Sequence, residues 1–160
     1  MPEVFVGAGS NANPVRALRR AAVEIEQRFG TLRCSRVYRS AAVGEPASDY
    51  LNLVISLSTE RDVESVQEAL RDVEQLAGRS RVDSAVCELD LDLLLYGVRV
   101  DALRRLPRPG CFTAPFVVGP LAALAPDLVH PVTAERCRAA WQRLQPGSLH
   151  EVGPLGSLGE

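Results

Sequence analysis

The spacing of hydrophobic and polar residues changes along the chain, and each spacing predicts a type of element. Apolar residues three or four positions apart mark one face of a helix, whereas strict alternation marks a strand with one buried face. Both patterns occur within the first 96 residues. In chain order, they predict a strand at 4–6, a helix at 15–29, strands at 32–38 and 50–58, a helix at 63–77 and a strand at 88–96.

The rest of the chain is less regular. The predicted features are a short partner strand at 98–100, an irregular stretch at 106–110 that contains two prolines and a glycine, and helices at 116–125 and 134–144. The order β-α-β-β-α-β is typical of a ferredoxin-like fold. We therefore expect an α+β protein with a ferredoxin-like core, additional C-terminal helices and three layers, α/β/α. Residues 1–146 are expected to form a single domain, followed by a loose tail at 147–160.

Composition narrows the class of protein. Of 160 residues, 46% are hydrophobic and 24% are charged, which is typical of a globular domain. No run approaches the ~20 apolar residues of a membrane span, and the N-terminal residues lack the pattern of a signal peptide, so we expect a cytoplasmic protein without a membrane partner. The net charge is −2, and the 18 basic residues, all arginines, form no basic block, so no nucleic-acid partner is expected.

The cysteines and histidines do not suggest a metal site. The four cysteines contain no CxxC pair and are expected to be reduced and mostly buried: Cys34, Cys87, Cys111 and Cys137. Neither His130 nor His150 has a partner at metal-ligand spacing, so both are expected to be structural or surface residues.

Two aspartates in the most apolar predicted strand give the best chemical signal. Because side chains alternate in a strand, Asp90 and Asp92 share one face, about 7 Å apart. Two such carboxylates repel each other and resist burial, and a divalent cation such as Mg²⁺ removes both difficulties. The alternative is an edge strand with one wet face, where alternating aspartates only provide solubility.

Three further groups of residues have weaker signals. Residues 7–11 contain two glycines and could form a phosphate-binding nest, although a tight structural turn is the favoured interpretation. Tyr50 and Asn52 share a strand face and could stack on and hydrogen-bond a planar heterocycle, or simply form a polar cross-strand face. Arg79 and Arg81 could clamp phosphates, although arginines at a helix end are usually surface residues.

Taken together, these segments resemble the 6-hydroxymethyl-7,8-dihydropterin pyrophosphokinase family of folate biosynthesis. The resemblance extends from residue 4 to about residue 144. The motifs that carry it are Gly9-Ser10-Asn11, Val37-Tyr38-Arg39-Ser40 with Gly44, Asp49-Tyr50-Leu51-Asn52, Gly78-Arg79-Ser80-Arg81, Leu89-Asp90-Leu91-Asp92, and the stretch 116–121 followed by 125–128.

The resemblance implies an activity and its cofactors. The family transfers the terminal pyrophosphoryl group of ATP to the hydroxymethyl group of a pterin and releases AMP, with two Mg²⁺ ions and commonly as a monomer. It implies that Asp90 and Asp92 hold both ions and that Arg79 contacts the phosphates as a third catalytic residue. The partners would then be two small molecules, the pterin and ATP.

The resemblance also implies the residues that contact each substrate. Those expected at the pterin are Asn52 at its edge, Tyr50 and Phe116 on its ring, and Ala41, Ala42 and Val43 through their backbone. Those expected at the nucleotide are Glu74, Arg81, Leu93 and Arg108.

The chain departs from the family pattern in the residues that clamp ATP. Residues 82–88 lack the tryptophan and arginine of the family's loop, Arg108 stands where the family has a histidine, and Ala114 stands where it has an arginine. We expect Arg108, with Arg104 and Arg105, to compensate. The alternative function is that of a catalytically impaired homologue that binds a pterin or a protein partner without transfer. A ferredoxin-like regulatory module for amino acids is a third possibility, supported only by the fold.

Overall fold

The computed structural model describes residues 1–40, 49–78, 88–144 and 149–159. Its strands are β1 (Glu3–Ser10), β2 (Leu32–Cys34), β3 (Arg36–Ser40), β4 (Tyr50–Ser58), β5 (Asp90–Tyr96) and β6 (His150–Pro154). Its helices are α1 (Pro14–Phe29), α2 (Val63–Leu76), α3 (Pro115–Leu124) and α4 (Cys137–Leu144), with a short 3-10 helix at Leu155–Ser157.

The strands form one antiparallel sheet, which confirms the expected α+β fold. The order across the sheet is β5-β1-β4-β3-β6, and β2 pairs with β4 beside β3. The predicted strand at 32–38 is thus two short strands, β2 and β3, that pair with the same neighbour. With these counted as one, the order of the first four strands is the arrangement that a βαββαβ chain adopts in a ferredoxin-like fold.

Local sequence accounts for the helices that support the sheet. In α1, Leu18, Ala21 and Ile25 are buried along one face, as the helical spacing predicts. The N-terminus of α2 is capped by Asp62, whose Oδ1 accepts a hydrogen bond of 2.8 Å from the Ser65 amide. Burial of these apolar faces against the sheet stabilises both helices.

The sheet separates two hydrophobic cores. On one face, Leu91 and Leu93 of β5 pack with residues of α1 and α2. On the other face, Phe5, Val54 and Leu94 pack with α3 and α4. The result is the expected three-layer arrangement, and the second face is only partly covered by helices, which leaves room for a cavity.

The predicted partner strand at 98–100 is wrong. Gly97 adopts a positive φ of 53° and donates its amide to the Glu3 carbonyl, so the chain turns away from the sheet there. Val98 and Val100 are 85% and 60% exposed. The chain then passes through turns to an isolated bridge between Asp101 and Leu106, and residues 107–110 are irregular as predicted.

The prediction of a loose tail is wrong for residues 150–158. β6 pairs with β3, in a register that places His150 opposite Arg39 and Glu151 opposite Tyr38. Burial raises the pKa of Tyr38, and the Glu151 carboxylate beside it raises the pKa further. The segment also buries apolar residues against the core and accepts hydrogen bonds from the Arg19 guanidinium at two carbonyls, those of Leu155 and Leu158. Pairing with the edge of β3 and burial of these apolar residues hold the tail in place.

Two further expectations concern the cysteines and the absence of a membrane span. Cys34, Cys111 and Cys137 are free thiols, and burial raises the pKa of Cys111 to about 11; Cys87 lies outside the described residues. In the part of the chain that the structure describes, no helix is both long enough and apolar enough to span a membrane.

Candidate active site

A cavity of about 370 Å³ opens on the face of the sheet that α3 covers only in part. We call it the aspartate cavity. It is lined by Gly7, Ala8, Gly9, Ser40, Tyr50, Asn52, Leu53, Val54, Asp90, Asp92, Leu94, Phe116 and Val117. Its walls are mainly apolar and carry a few polar groups, which is the usual character of a small-molecule site.

Asp90 and Asp92 both line this cavity, as their alternation in β5 predicts. Leu91 and Leu93, between and after them, point to the opposite face and pack with α1 and α2. The leucines hold the strand against the core while the aspartates remain partly exposed. The two carboxylates therefore face a common space that a ligand can enter.

Asn52 and Tyr50 reach the cavity from β4. Asn52 is only 6% exposed, and its Nδ2 donates a hydrogen bond of 2.8 Å to Ser40 Oγ. On its other side lies Gly9, where an added Cβ would stand 3.0 Å from Asn52 Oδ1. The amide is thus held between a hydroxyl and a bare backbone, with its plane fixed next to the cavity.

Phe116 completes the apolar wall from the first turn of α3. Pro115 begins this helix, where a proline costs no hydrogen bond. The Phe116 side chain lines the cavity and is 48% exposed, which is unusual for a large aromatic residue. An exposed ring beside a cavity offers a flat surface for stacking.

The residues that sequence reasoning missed at this site include two glycines and a serine. Gly7 and Gly9 were assigned to a tight turn, but both lie in β1 and face the cavity. Ser40, at the end of β3, had no assigned role and turns out to hold the Asn52 amide. The sequence pattern that could have identified the glycines is their spacing of two. In a strand this spacing places both on one face, where the lack of side chains lets another group approach the backbone closely.

A second cavity, of about 210 Å³, lies on the outer side of β5. We call it the arginine cavity. It is lined by Gln67, Leu70 and Arg71 of α2, by Leu91, Asp92 and Leu93 of β5, and by Leu103, Arg104, Arg105 and Arg108. Asp92 contributes to both cavities, so they meet at this carboxylate.

Arg108 is fixed at this junction. Its Nη2 lies 3.1 Å from Asp92 Oδ1, and its backbone amide donates a hydrogen bond of 2.9 Å to the Leu94 carbonyl. Both side chains of the ion pair remain about 30% exposed, so the guanidinium is accessible from solvent. Of the residues expected at the nucleotide, Leu93 and Arg108 come together here.

Glu74 lies apart from both cavities. Its side chain is buried, with 5% of the residue exposed, and Oε2 accepts a hydrogen bond of 2.9 Å from the Leu91 amide. It is absent from the residues that line either cavity in the described part of the chain. The other expected contacts lie outside the described residues: Arg79, Arg81, Ala41, Ala42 and Val43.

The site fits Mg²⁺ as a pair of carboxylate ligands that leaves further coordination positions for other oxygen atoms. Within the described ranges, no three His, Cys, Asp or Glu side chains form a group that could hold a metal ion. Two carboxylates on one face are nevertheless a normal set of protein ligands for Mg²⁺, which takes its remaining ligands from substrate phosphates and water. The existing Asp92–Arg108 contact also shows that this carboxylate accommodates a positive charge.

Comparison with known proteins gives a consistent result. A family model for 7,8-dihydro-6-hydroxymethylpterin-pyrophosphokinase (HPPK) matches residues 5–126. The 2-amino-4-hydroxy-6-hydroxymethyldihydropteridine pyrophosphokinase of Synechocystis sp. is 36% identical over 160 residues, covering 96% of this chain and 82% of that protein. The enzyme of the same name from Methylorubrum extorquens is 30% identical over 159 residues, covering 95% and 99% of the two chains.

A solved structure supports the same fold. The HPPK-DHPS protein of Plasmodium falciparum superimposes with a TM-score of 0.71 at 11% sequence identity. The match covers 89% of this chain and 43% of that longer chain. With the family model matching more than half of its residues, the chain belongs to the 7,8-dihydro-6-hydroxymethylpterin-pyrophosphokinase family.

Proposed function

We infer that the protein transfers the pyrophosphoryl group of ATP to the hydroxymethyl group of 6-hydroxymethyl-7,8-dihydropterin in folate biosynthesis and releases AMP. The observation that carries this inference is the position of Asp92 at the junction of two different cavities, with Asp90 beside it in the first of them. One cavity suits a planar heterocycle and the other suits a polyphosphate. Group transfer between two substrates requires such a junction, because the reacting atoms must meet.

The aspartate cavity is the proposed pterin site. Phe116 and Tyr50 offer rings to pack on a flat bicyclic ligand, and Asn52 offers an amide for its hydrogen-bonding edge. The hydrogen bond from Asn52 to Ser40 keeps this amide in one orientation, so little entropy is lost when the ligand binds. The apolar floor excludes water from the ring.

The arginine cavity is the proposed nucleotide site. Arg108 lies where the ATP phosphates would approach Asp92, and Arg71, Arg104 and Arg105 surround the same space. Guanidinium groups bind phosphate oxygens with paired hydrogen bonds, and several of them offset the charge of a triphosphate. These arginines are proposed to compensate for the histidine and arginine that the family has at positions 108 and 114.

Asp90 and Asp92 are the proposed ligands of Mg²⁺. Bound Mg²⁺ would neutralise phosphate charge and orient the transferring group, which is most of what phosphoryl-type transfer requires. The role of the two aspartates is to hold the metal in one place beside the pterin hydroxymethyl group. The role of Arg108 is then to leave Asp92 and contact phosphate.

An AMP-release assay tests the proposal. Purified protein is incubated with ATP, Mg²⁺ and 6-hydroxymethyl-7,8-dihydropterin, beside Asp92→Ala and the control Asp127→Ala, an exposed carboxylate paired with Arg138. We expect AMP release that requires the pterin, disappears in Asp92→Ala and persists in Asp127→Ala. No AMP with pterin binding still detectable by calorimetry would instead identify a pterin-binding homologue without transfer.

Three finer points belong to the same proposal. We propose that two Mg²⁺ ions bind and that the enzyme is a monomer, as the family resemblance implies. We also propose that it acts in the cytoplasm, as the sequence pattern predicts. Calorimetric titration with Mn²⁺ in the presence of a non-hydrolysable ATP analogue measures the number of ions. Light scattering coupled to size-exclusion chromatography measures the molecular mass.

A further inference from the structure

The backbone amide of Leu91 occupies a special position in the sheet. Leu91 lies between Asp90 and Asp92, and β5 is the terminal strand in the order β5-β1-β4-β3-β6. In a terminal strand, alternate residues turn their amides away from the sheet, where there is no neighbouring strand to accept them. In this protein the acceptor is the buried carboxylate of Glu74, at 2.9 Å.

Glu74 reaches this amide from the buried face of α2. The residue is 5% exposed, and its neighbours Val73 and Leu70 pack in the same core as Leu91. A buried carboxylate is costly unless hydrogen bonds satisfy it, and a bond from a backbone amide to a charged oxygen is among the stronger ones. Because burying this charge is costly, its bond to the Leu91 amide indicates that Glu74 serves to fix the position of β5.

We propose that Glu74 is a positioning residue that holds the backbone between the two aspartates, a role that rests on the proposed function of Asp90 and Asp92. In the described part of the sheet no strand lies on the outer side of β5, and the Glu74 carboxylate accepts the Leu91 amide there instead. With the Leu91 amide fixed, the Asp90 and Asp92 side chains project into the aspartate cavity at a constant separation. Metal ligands held in this way bind with less reorganisation, and loss of such support typically weakens metal binding or activity about 10–100-fold.

A direct nucleotide contact is the competing role for Glu74. The geometry argues against it, because the Glu74 carboxylate is buried and does not line the arginine cavity, whereas Gln67, Leu70 and Arg71 of the same helix do. A ligand in that cavity would contact those three lining side chains of α2 and not the Glu74 carboxylate. The two roles also predict different behaviour, since only a positioning role acts through the aspartates.

Four variants separate these roles. Glu74→Gln keeps a side-chain oxygen that accepts the Leu91 amide, whereas Glu74→Leu removes the acceptor at similar volume. Glu74→Asp shortens the side chain by one methylene and withdraws the acceptor without placing an apolar group at the site, so it replaces Glu74→Leu if that variant does not fold. Asp72→Leu, at an exposed position of the same helix, is the control.

The measurements are hydrogen exchange at the Leu91 amide, Mn²⁺ affinity in the presence of a non-hydrolysable ATP analogue, and AMP affinity without metal. We expect Glu74→Leu and Glu74→Asp to accelerate exchange at Leu91 and to weaken Mn²⁺ binding about tenfold, as loss of ligand support typically does. Glu74→Gln and Asp72→Leu should resemble the wild type in both measurements. AMP affinity without metal should be unchanged in every variant.

Two results would overturn the proposal. One is hydrogen exchange at the Leu91 amide as slow as in the wild type, with unchanged Mn²⁺ affinity, in both Glu74→Leu and Glu74→Asp. The other is an equal loss of AMP affinity in Glu74→Gln and Glu74→Leu, which would identify a nucleotide contact. Failure of the wild-type protein to release AMP would count against the proposed function alone, since exchange and metal binding are measured without turnover.

Discussion

The guanidinium of Arg108 and the carboxylate of Asp92 are 3.1 Å apart, and this contact joins the two cavities of the site. Asp92 comes from the terminal strand of the sheet, and Arg108 from an irregular stretch that follows it in the chain. The Arg108 amide also bonds the Leu94 carbonyl, so the stretch is attached to β5 at both backbone and side chain. The pair places a positive charge where the phosphates and Mg²⁺ are proposed to bind.

Arg108→Ala is expected to weaken ATP binding. If Arg108 contacts phosphate, its loss removes a charge-assisted hydrogen bond, and we expect the Kd for ATP to rise about tenfold, or ~1.4 kcal/mol. Calorimetry with ATP in the absence of pterin measures the change. The control is Arg99→Ala, since Arg99 pairs with Asp101 at the surface and lines neither of the two cavities among the described residues. An ATP affinity equal to that of the wild type would rule out compensation by Arg108.

Gly9→Ala is expected to raise the KM for the pterin. The new Cβ would stand 3.0 Å from Asn52 Oδ1, so the amide must shift from the position in which it meets the ligand. Loss of one such hydrogen bond costs ~1 kcal/mol, or about fivefold in KM. Gly156→Ala is the control, because its Cβ would meet no atom within 4 Å and Gly156 lines neither cavity among the described residues. Equal pterin KM values for the two variants would contradict the prediction.

Phe116→Ala is expected to impair pterin binding with little loss of stability. The ring is 48% exposed, so its removal leaves almost no core cavity, whereas stacking of a heterocycle on an aromatic ring contributes ~1–3 kcal/mol. We expect a rise in the pterin KM of about tenfold, with Phe116→Tyr close to the wild type. Steady-state kinetics and thermal unfolding measure the two effects. A large drop in Tm with an unchanged KM would assign Phe116 to packing instead.

Stability is expected to fall as the pH drops below about 6.5, because of His130. Its Nδ1 accepts hydrogen bonds from the amides of Val132 and Thr133, both at 3.2 Å, and therefore carries no proton. Burial lowers the pKa of His130 below its ordinary value of 6.5, against an opposing effect of Glu135. The unfolded chain then takes up the proton first as the pH falls, so acid favours unfolding. Denaturant unfolding at pH values from about 7.5 down to about 5, which span that value, measures the dependence of stability on pH.

His130→Asn provides the test of this assignment. An asparagine side-chain oxygen can accept the same two amides but does not titrate in this range. We expect the variant to lose most of the pH dependence between about 6.5 and 5, whereas His150→Asn, at an exposed position, should retain it. Parallel slopes for the wild type and His130→Asn would show that other groups cause the acid sensitivity.

Local periodicity predicted most of the helices and strands between residues 4 and 96, and the face on which Asp90, Asp92, Tyr50 and Asn52 lie. The alternation of Asp90 and Asp92 with leucines specified which residues meet the core, because strand geometry couples neighbours in sequence. The same reasoning failed at 98–100, where the alternating valines pair with no strand among the described residues. It also failed at 7–10, where two glycines lie within a strand and allow a close approach. In both cases the outcome depends on a partner distant in sequence.

Tertiary structure decided the contacts that connect these elements. The sequence identifies Asp90, Asp92, Asn52 and Phe116 as candidate site residues, and its βαββαβ order predicts the sheet that carries the first three. It does not show that Arg108 meets Asp92, that Glu74 accepts the Leu91 amide, or that residues 150–154 add a strand to β3. Local pattern reflects forces between residues a few positions apart, whereas these contacts arise only when separate segments are packed against one another, so they are fixed by the whole fold.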